Sequence, residues 1–352
     1  MQPFLTQYQY LYSKPDNTST IRASNEDFQV REIQAFEPDG EGEHWYLNIL
    51  KNGENSDWVA KKIAIFFNVG SKEIGYAGKK DRHAITDQWF SVCLPGTKTI
   101  DLTGFDTDTI KVIAIKKHSR KLRTGALKGN NFSIVMRDVS NEEDFEKRLE
   151  LIRQGVPNYF GEQRFGHGGG NISRGVSLLN GQFKEKNRTK KGLYISAVRS
   201  WFFNYLLSHR IENKLWNNVM LGDVVMLDGS HSHFSVDDVC AIQSRHDEQD
   251  LHLTGPMLGR GRSLVTENAL EWEQKLLAPY EELIERLAYM GLSQERRAIR
   301  LIAANLSAQR LSAGVWQVSF DLPSGSFATS VLRELSDYSN AGTSNDTNIN
   351  IK

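Results

Sequence analysis

Phe28 and Val30 alternate with Gln29 and Arg31, which predicts a strand with one buried face. Val59, Ile63, Phe66 and Phe67 then recur at helical spacing behind Ser56, which reads as an N-cap, with Gly70 as the stop. Phe132, Ile134 and Met136 alternate with Ser133, Val135 and Arg137, a second strand with Asn130 and Phe132 at its end beside Gly125–Gly129. Asn141 opens a helix carrying Phe145, Leu149 and Ile152 that Gly155 ends. The composition then changes: 157–170 is rich in glycine interleaved with Tyr159, Phe160, Arg164 and Phe165, and reads as a junction or a binding loop. Helical spacing resumes at Tyr194, Val198, Trp201 and Tyr205 and again over 269–289, while 251–261, with Gly255, Pro256, Gly259 and Gly261, reads as loop. Trp316, Val318, Phe320 and Leu322 predict another half-buried strand, Pro323–Gly325 a break, and Phe327–Leu335 a helix. The polar stretch 339–352 lacks aromatics and reads as a disordered tail. No internal repeat is present.

Length and composition narrow the class. At 352 residues the chain can hold two domains, each with its own core. The longest apolar run, Ile63–Phe67, is too short for a membrane span, and 1–14 lacks the pattern of a signal peptide. Cys93 and Cys240 stand far apart with no zinc-ligand spacing, which fits a reducing, cytoplasmic setting. The 43 basic and 43 acidic residues balance, so any case for nucleic acid rests on local clustering. Such a cluster exists: 111–137 holds eight Lys or Arg and no acid, either a phosphate track or a solvated basic face. By contrast, 26–43 carries seven acids against Arg31, a face that repels phosphate.

One stretch is harder to explain as ordinary fold. In 75–90, Gly75 and Gly78 precede Lys79, Lys80, Asp81 and Arg82, so a carboxylate sits among cations that favour its ionised form. An ionised carboxylate can serve as nucleophile or base, although a charged surface turn accounts for the same residues. Thr86 and Gln88 alternate behind it, share one face of a strand, and could bond either the Asp81 loop or a ligand.

The pattern from Gly78 to Gln88, Gly-x-Lys-Asp-x-x-Ala-x-Thr-x-Gln, resembles the signature of the TruD family of tRNA pseudouridine synthases. Four further blocks resemble the family in order: Asn-Glu-Asp-Phe-Gln-Val at 25–30, the run 121–132, the run 157–166 and the run 322–335. The resemblance implies an α/β (α+β) fold: a catalytic core on a mixed, mostly antiparallel sheet, discontinuous over 1–156 and 304–338. A second, inserted α/β domain over 157–303 would lie beside it, with an RNA cleft between. It also implies isomerisation of uridine 13 in the tRNA D arm, without cofactor and with tRNA as partner; a monomer is expected, and a synthase acting on another RNA or an RNA-binding protein without catalysis are the alternatives the sequence leaves open.

Pseudouridine formation cuts the N1–C1′ bond and rejoins the base through C5, so it needs an ionised carboxylate near a base that has left its stack. By resemblance Asp81 is that carboxylate, and Asp87, six residues on, should be dispensable for chemistry. The flipped base would stack on aromatic faces worth about 1–3 kcal/mol each. Phe28, Phe132 and Phe327 match family positions associated with that nucleotide, and Asn130 one that contacts it. Arg22 stands where relatives usually carry lysine, a change that keeps an ion-pair role and removes a proton-transfer one. Lys79, Arg120, Lys121 and Arg123 are phosphate candidates on charge clustering alone. Rival readings fall short. His167-Gly-Gly-Gly170 imitates a lipase oxyanion motif, but no Gly-x-Ser-x-Gly accompanies it. Gly161–Gly166 has P-loop spacing with His167 in place of the lysine. His231, His233, His246 and His252 lack metal-ligand company and read as solvated loop histidines.

Overall fold

The computed structural model describes residues 7–341. The described residues divide into two compact units, one built from Pro15–Arg153, Ala303–Ala328 and 335–341, the other from Gln154–Ile302 together with 7–14 and Thr329–Glu334.

The first unit opens with strands β1 (Thr18–Ile21), β2 (Phe28–Gln34) and β3 (His44–Asn52), then helix α1 (Ser56–Phe66). Strands β4 (Ile74–Tyr76), β5 (Ile85–Cys93), β6 (Ile110–His118) and β7 (Leu127–Arg137) follow, and helix α2 (Glu142–Ile152) ends this run. Strands Ala304–Ser312, Val315–Pro323 and Asp337–Asn340 complete, among the described residues, a ten-stranded sheet. Its central order is Ala304–Ser312, Val315–Pro323, β7, β2, β5, β3, β6. Only β2 with β5 and β1 with Asp337–Asn340 pair parallel, so the sheet is mixed and mostly antiparallel, as expected.

Apolar parity sets the core. Val59 and Ile63 of α1 are fully buried with Leu47, Ile49 and Phe90 on one face of the sheet, each such side chain contributing about 1.5–3 kcal/mol of burial. The alternation read at 132–136 and 316–322 holds: Ile134, Met136, Val318 and Phe320 are fully buried. Strand β7 starts at Leu127, however, so Asn130 and Phe132 lie inside it and not at its end. Asn141 caps α2 by accepting from the Asp144 N–H at 3.1 Å. Ser339 and Asn340, placed by the sequence in the polar tail, belong to the last strand, and 342–352 lies outside the described residues.

The second unit wraps the 25-residue helix Arg188–Glu212, with Trp201, Phe202 and Phe203 fully buried, against a four-stranded sheet. The stretch 251–261 corrects its loop reading, because Leu251–Met257 is a central strand of that sheet. Gly255 is there for space: a Cβ would come 3.0 Å from the Phe203 ring. Pro256 is tolerated because this end pairs only with Glu295–Ala298, the other neighbour stopping opposite Leu253. The aromatics of 157–170 are also core, not loop surface: Tyr159, Phe160 and Phe165 are buried, and Tyr159 stacks on Tyr8 at 5.1 Å. His246 and His252 are buried rather than solvated, His246 against the Arg300 guanidinium at 3.0 Å, where burial lowers its pKa to about 4. No described helix is long and apolar enough to cross a membrane.

Candidate active site

Asp81 lies in the loop joining β4 to β5, and that loop is anchored along its length. The Ala77 carbonyl accepts from the Gly125 N–H at 2.8 Å, and the Gly78 carbonyl from Gln88 Nε2 at 2.6 Å. The Lys80 N–H donates to Ser56 Oγ at 3.0 Å, and the Asp81 carbonyl accepts from Lys51 Nζ at 3.3 Å. Ser56 is therefore not the expected N-cap. It is the first helical residue, and its hydroxyl donates to Gln88 Oε1 at 2.7 Å while accepting from the loop.

Register explains why these groups meet. Val30 of β2 lies opposite Thr86 of β5 and Phe132 of β7, Thr86 opposite Lys51 of β3, and Glu32 opposite Asn130. Lys51, Thr86, Gln88, Glu32 and Asn130 thus share one face with Phe28 and Phe132. Gln88 takes the first of its two open roles by bonding the Asp81 loop. Thr86 Oγ1 and Asn130 Oδ1 are buried without a hydrogen-bond partner.

The Asp81 side chain is 35% exposed and accepts at Oδ2 from Arg22 Nη2 at 2.8 Å, Arg22 itself being 13% exposed. Arg22 has a positive φ of 57°, a conformation costing a residue with a Cβ about 1–2 kcal/mol. From there its Nη1 reaches Asn340 Oδ1 at 2.9 Å and its guanidinium lies 3.9 Å from the Phe28 ring centroid. A planar fork can make all three contacts at once.

The neighbours that sequence placed around Asp81 are directed elsewhere. Lys79, 72% exposed, pairs with Asp57 at 2.6 Å. Lys80 pairs with Glu32 at 2.7 Å, where the two side chains are 8% and 1% exposed, and Glu32 Oε2 also accepts the Trp89 N–H at 2.9 Å. Burial pushes the Glu32 carboxyl above the usual carboxylate range despite the Lys80 ammonium. Asp87 lies on the opposite face of β5, with Arg31 at 3.3 Å, and burial raises its pKa too.

Phe28 and Phe132 are buried edge to face with centroids 6.3 Å apart, and Phe132 stacks on Phe320 at 5.6 Å. Phe327, half-buried, directly precedes the helix Ala328–Leu335. The basic segment is pinned against β4, just before the loop: Gly75 approaches Leu122 so closely that a Cβ would sit 2.2 Å from its carbonyl oxygen. Several of its cations already serve the fold. Arg137 holds Asp27 at 2.7 Å, Lys116 holds Glu37 at 2.8 Å, Lys117 lies over Trp45 at 4.6 Å, and Lys121 donates to the Lys72 carbonyl. Arg120 and Arg123 remain exposed. Sequence reasoning missed Lys51 and Glu32, and read Ser56 only as a cap and Phe320 only as a strand position. The usable signal was parity, since Glu32 and Lys51 continue alternations whose other members are apolar.

Comparison with known proteins bears on the family and the fold. The family model described as tRNA pseudouridine synthase D (TruD) matches residues 5–189 and 179–335. A tRNA pseudouridine synthase D from Colwellia psychrerythraea is 43% identical over 346 residues, 95% of this chain and 94% of the relative. One from Hydrogenovibrio crunogenus is 43% identical over 333 residues, covering 94% and 96%. A crystal structure from Methanosarcina mazei, described as a candidate tRNA pseudouridine synthase D, shares the fold with a TM-score of 0.71 at 22% identity, covering 93% of this chain and 95% of that one. On the strength of matches that run almost end to end, the chain belongs to the TruD family of tRNA pseudouridine synthases.

Proposed function

We propose that the protein isomerises uridine 13 in the D arm of tRNA to pseudouridine, with Asp81 as the carboxylate that acts on the flipped nucleotide. The observation that carries the reading is a partly exposed carboxylate on a loop anchored by backbone hydrogen bonds and facing a guanidinium at 2.8 Å. The N1–C1′ bond breaks, C5–C1′ forms, the proton on C5 leaves to solvent and N1 takes one up, so no oxidant or reductant is consumed. An ionised carboxylate suits each first step open to it: attack on C1′, attack on the base, or removal of a ribose proton. A fixed loop supplies orientation, which is worth much of a barrier when the reacting atoms start in contact.

For the base, Asn130 carries an unpartnered amide oxygen and Phe327 is the third aromatic candidate, while Phe28 backs Arg22 and Phe320 backs Phe132. Arg120 and Arg123, together with Lys79 and Lys121, would follow the phosphates. In this reading the unit of 15–153 and 303–328 is the catalytic domain and 154–302 the inserted one. The protein acts as a cytoplasmic monomer with tRNA as its partner and no small-molecule cofactor. The test is a tRNA transcript with uridine or cytidine at position 13, treated with the purified protein and mapped for pseudouridine. Modification at 13, and none in the cytidine transcript, is expected. Pseudouridine elsewhere in both transcripts overturns the site assignment.

A further inference from the structure

Lys51 is a cation with no surface role. It sits on β3 with no exposed area, on the face beneath the Asp81 loop. Its ammonium donates to the Glu54 carbonyl at 2.7 Å, just before α1, and to the Asp81 carbonyl at 3.3 Å. It therefore joins the turn that starts α1 to the residue whose carboxylate faces Arg22. We propose that Lys51 is a positioning residue for the Asp81 carboxylate: its buried ammonium holds the loop by the backbone of Asp81 itself, and the reaction depends on that charge. This rests on the reading of Asp81 as the reacting carboxylate.

The physical reason is that carbonyl oxygens bound by an ion are held about twice as strongly as by a neutral amine. Loss of the proton therefore slackens the loop without emptying the site. Burial is the largest influence on this lysine and lowers its pKa from 10.5 to about 8; Asp81, Glu54 and Glu32 act against that, and Lys80 acts with it. The window lies just above neutrality. For stability the sign is opposite. The unfolded lysine keeps its proton up to about 10.5, so between about 8 and 10.5 this group favours the folded state increasingly as pH rises. Activity falling while the fold is retained is the signature.

The experiment measures single-turnover tritium release from tRNA carrying 5-tritiated uridine between pH 6.5 and 9.5, with tRNA affinity measured in parallel. Wild type should lose activity above about pH 8 in a one-proton step with affinity unchanged. Lys51→Met should bind tRNA normally but react roughly 10–100-fold more slowly, the range expected when a catalytic group is displaced without being removed. Lys51→Arg keeps the charge and should recover much of the rate without the alkaline step. If Lys51→Met does not fold, the wild-type and Lys51→Arg profiles decide. An alkaline step that survives in Lys51→Arg, or no step in wild type, overturns the proposal. Asp81→Asn separates the two readings: an inactive Asp81→Asn beside a fully active Lys51→Met sinks only the role of Lys51, whereas an active Asp81→Asn removes the premise.

Discussion

Replacing Lys80 by methionine removes an ammonium 2.7 Å from Glu32 Oε1 in a place where water hardly reaches either side chain. The carboxylate keeps the Trp89 N–H at 2.9 Å, so it loses its charge partner but not every donor. Breaking a buried pair from one side costs about 3–5 kcal/mol, and the remaining donor places this case near the lower end, about 3 kcal/mol. Burial already raises the Glu32 pKa and Lys80 opposes that rise, so without Lys80 the carboxyl moves further up. An acid whose folded pKa exceeds its unfolded value lends stability that is lost as pH climbs through the gap between the two. The cost of Lys80→Met should therefore be least near pH 4.5, the ordinary value, and greatest at neutrality. Hydrogen exchange of the peptide 85–93 reads this directly, because the Trp89 amide is the one bonded to Glu32. A loss of 3 kcal/mol corresponds to roughly 150-fold faster opening. Adding Glu32→Gln should restore part of the protection, since no unpaired charge is then left buried. Protection at pH 7 unchanged within about threefold, or the same loss at pH 5 as at pH 7.5, would refute the reasoning.

Two further outcomes follow from the site. Arg22→Lys keeps one ion pair with Asp81 and should stay within about threefold of the wild-type single-turnover rate, whereas Arg22→Met should fall roughly 10–100-fold with tRNA affinity retained. Equal rates for the two variants would show that the guanidinium does not position the carboxylate. Neutralising the exposed Arg120 and Arg123 should lower the slope of log affinity against log salt by about one for each phosphate released, and Lys121→Gln should change it less because its ammonium already serves the Lys72 carbonyl. A slope unmoved by the Arg120/Arg123 double variant would place the phosphate track elsewhere, for which 184–191 is the next candidate.

Local pattern carried the regular parts of this fold. The alternations at Phe28–Arg31, Phe132–Arg137 and Trp316–Leu322 became strands because their burial follows the period of two that a pleated sheet imposes. Leu251–Met257 was not legible, since Gly255 and Pro256 are there for a helix packed close and for a missing neighbour, both facts of tertiary structure. At the site, Asp81 stood out because its surroundings in sequence are chemically odd. Its partner Arg22, 59 positions away, was legible only through resemblance, and the pairing itself only in space. Lys79 and Lys80 misled for the same reason. Neighbours in a tight loop point different ways, and ion pairs are decided by what lies across the fold, here Asp57 and Glu32.

The most direct test of the central claim compares two aspartates six positions apart. Asp81→Asn and Asp87→Asn are assayed for tritium release from tRNA with 5-tritiated uridine, with binding measured alongside. Asp81→Asn should bind tRNA as wild type does and lose activity by roughly a thousandfold or more, while Asp87→Asn, on the opposite face of β5, keeps it. Activity that persists in Asp81→Asn, or vanishes only in Asp87→Asn, contradicts the account.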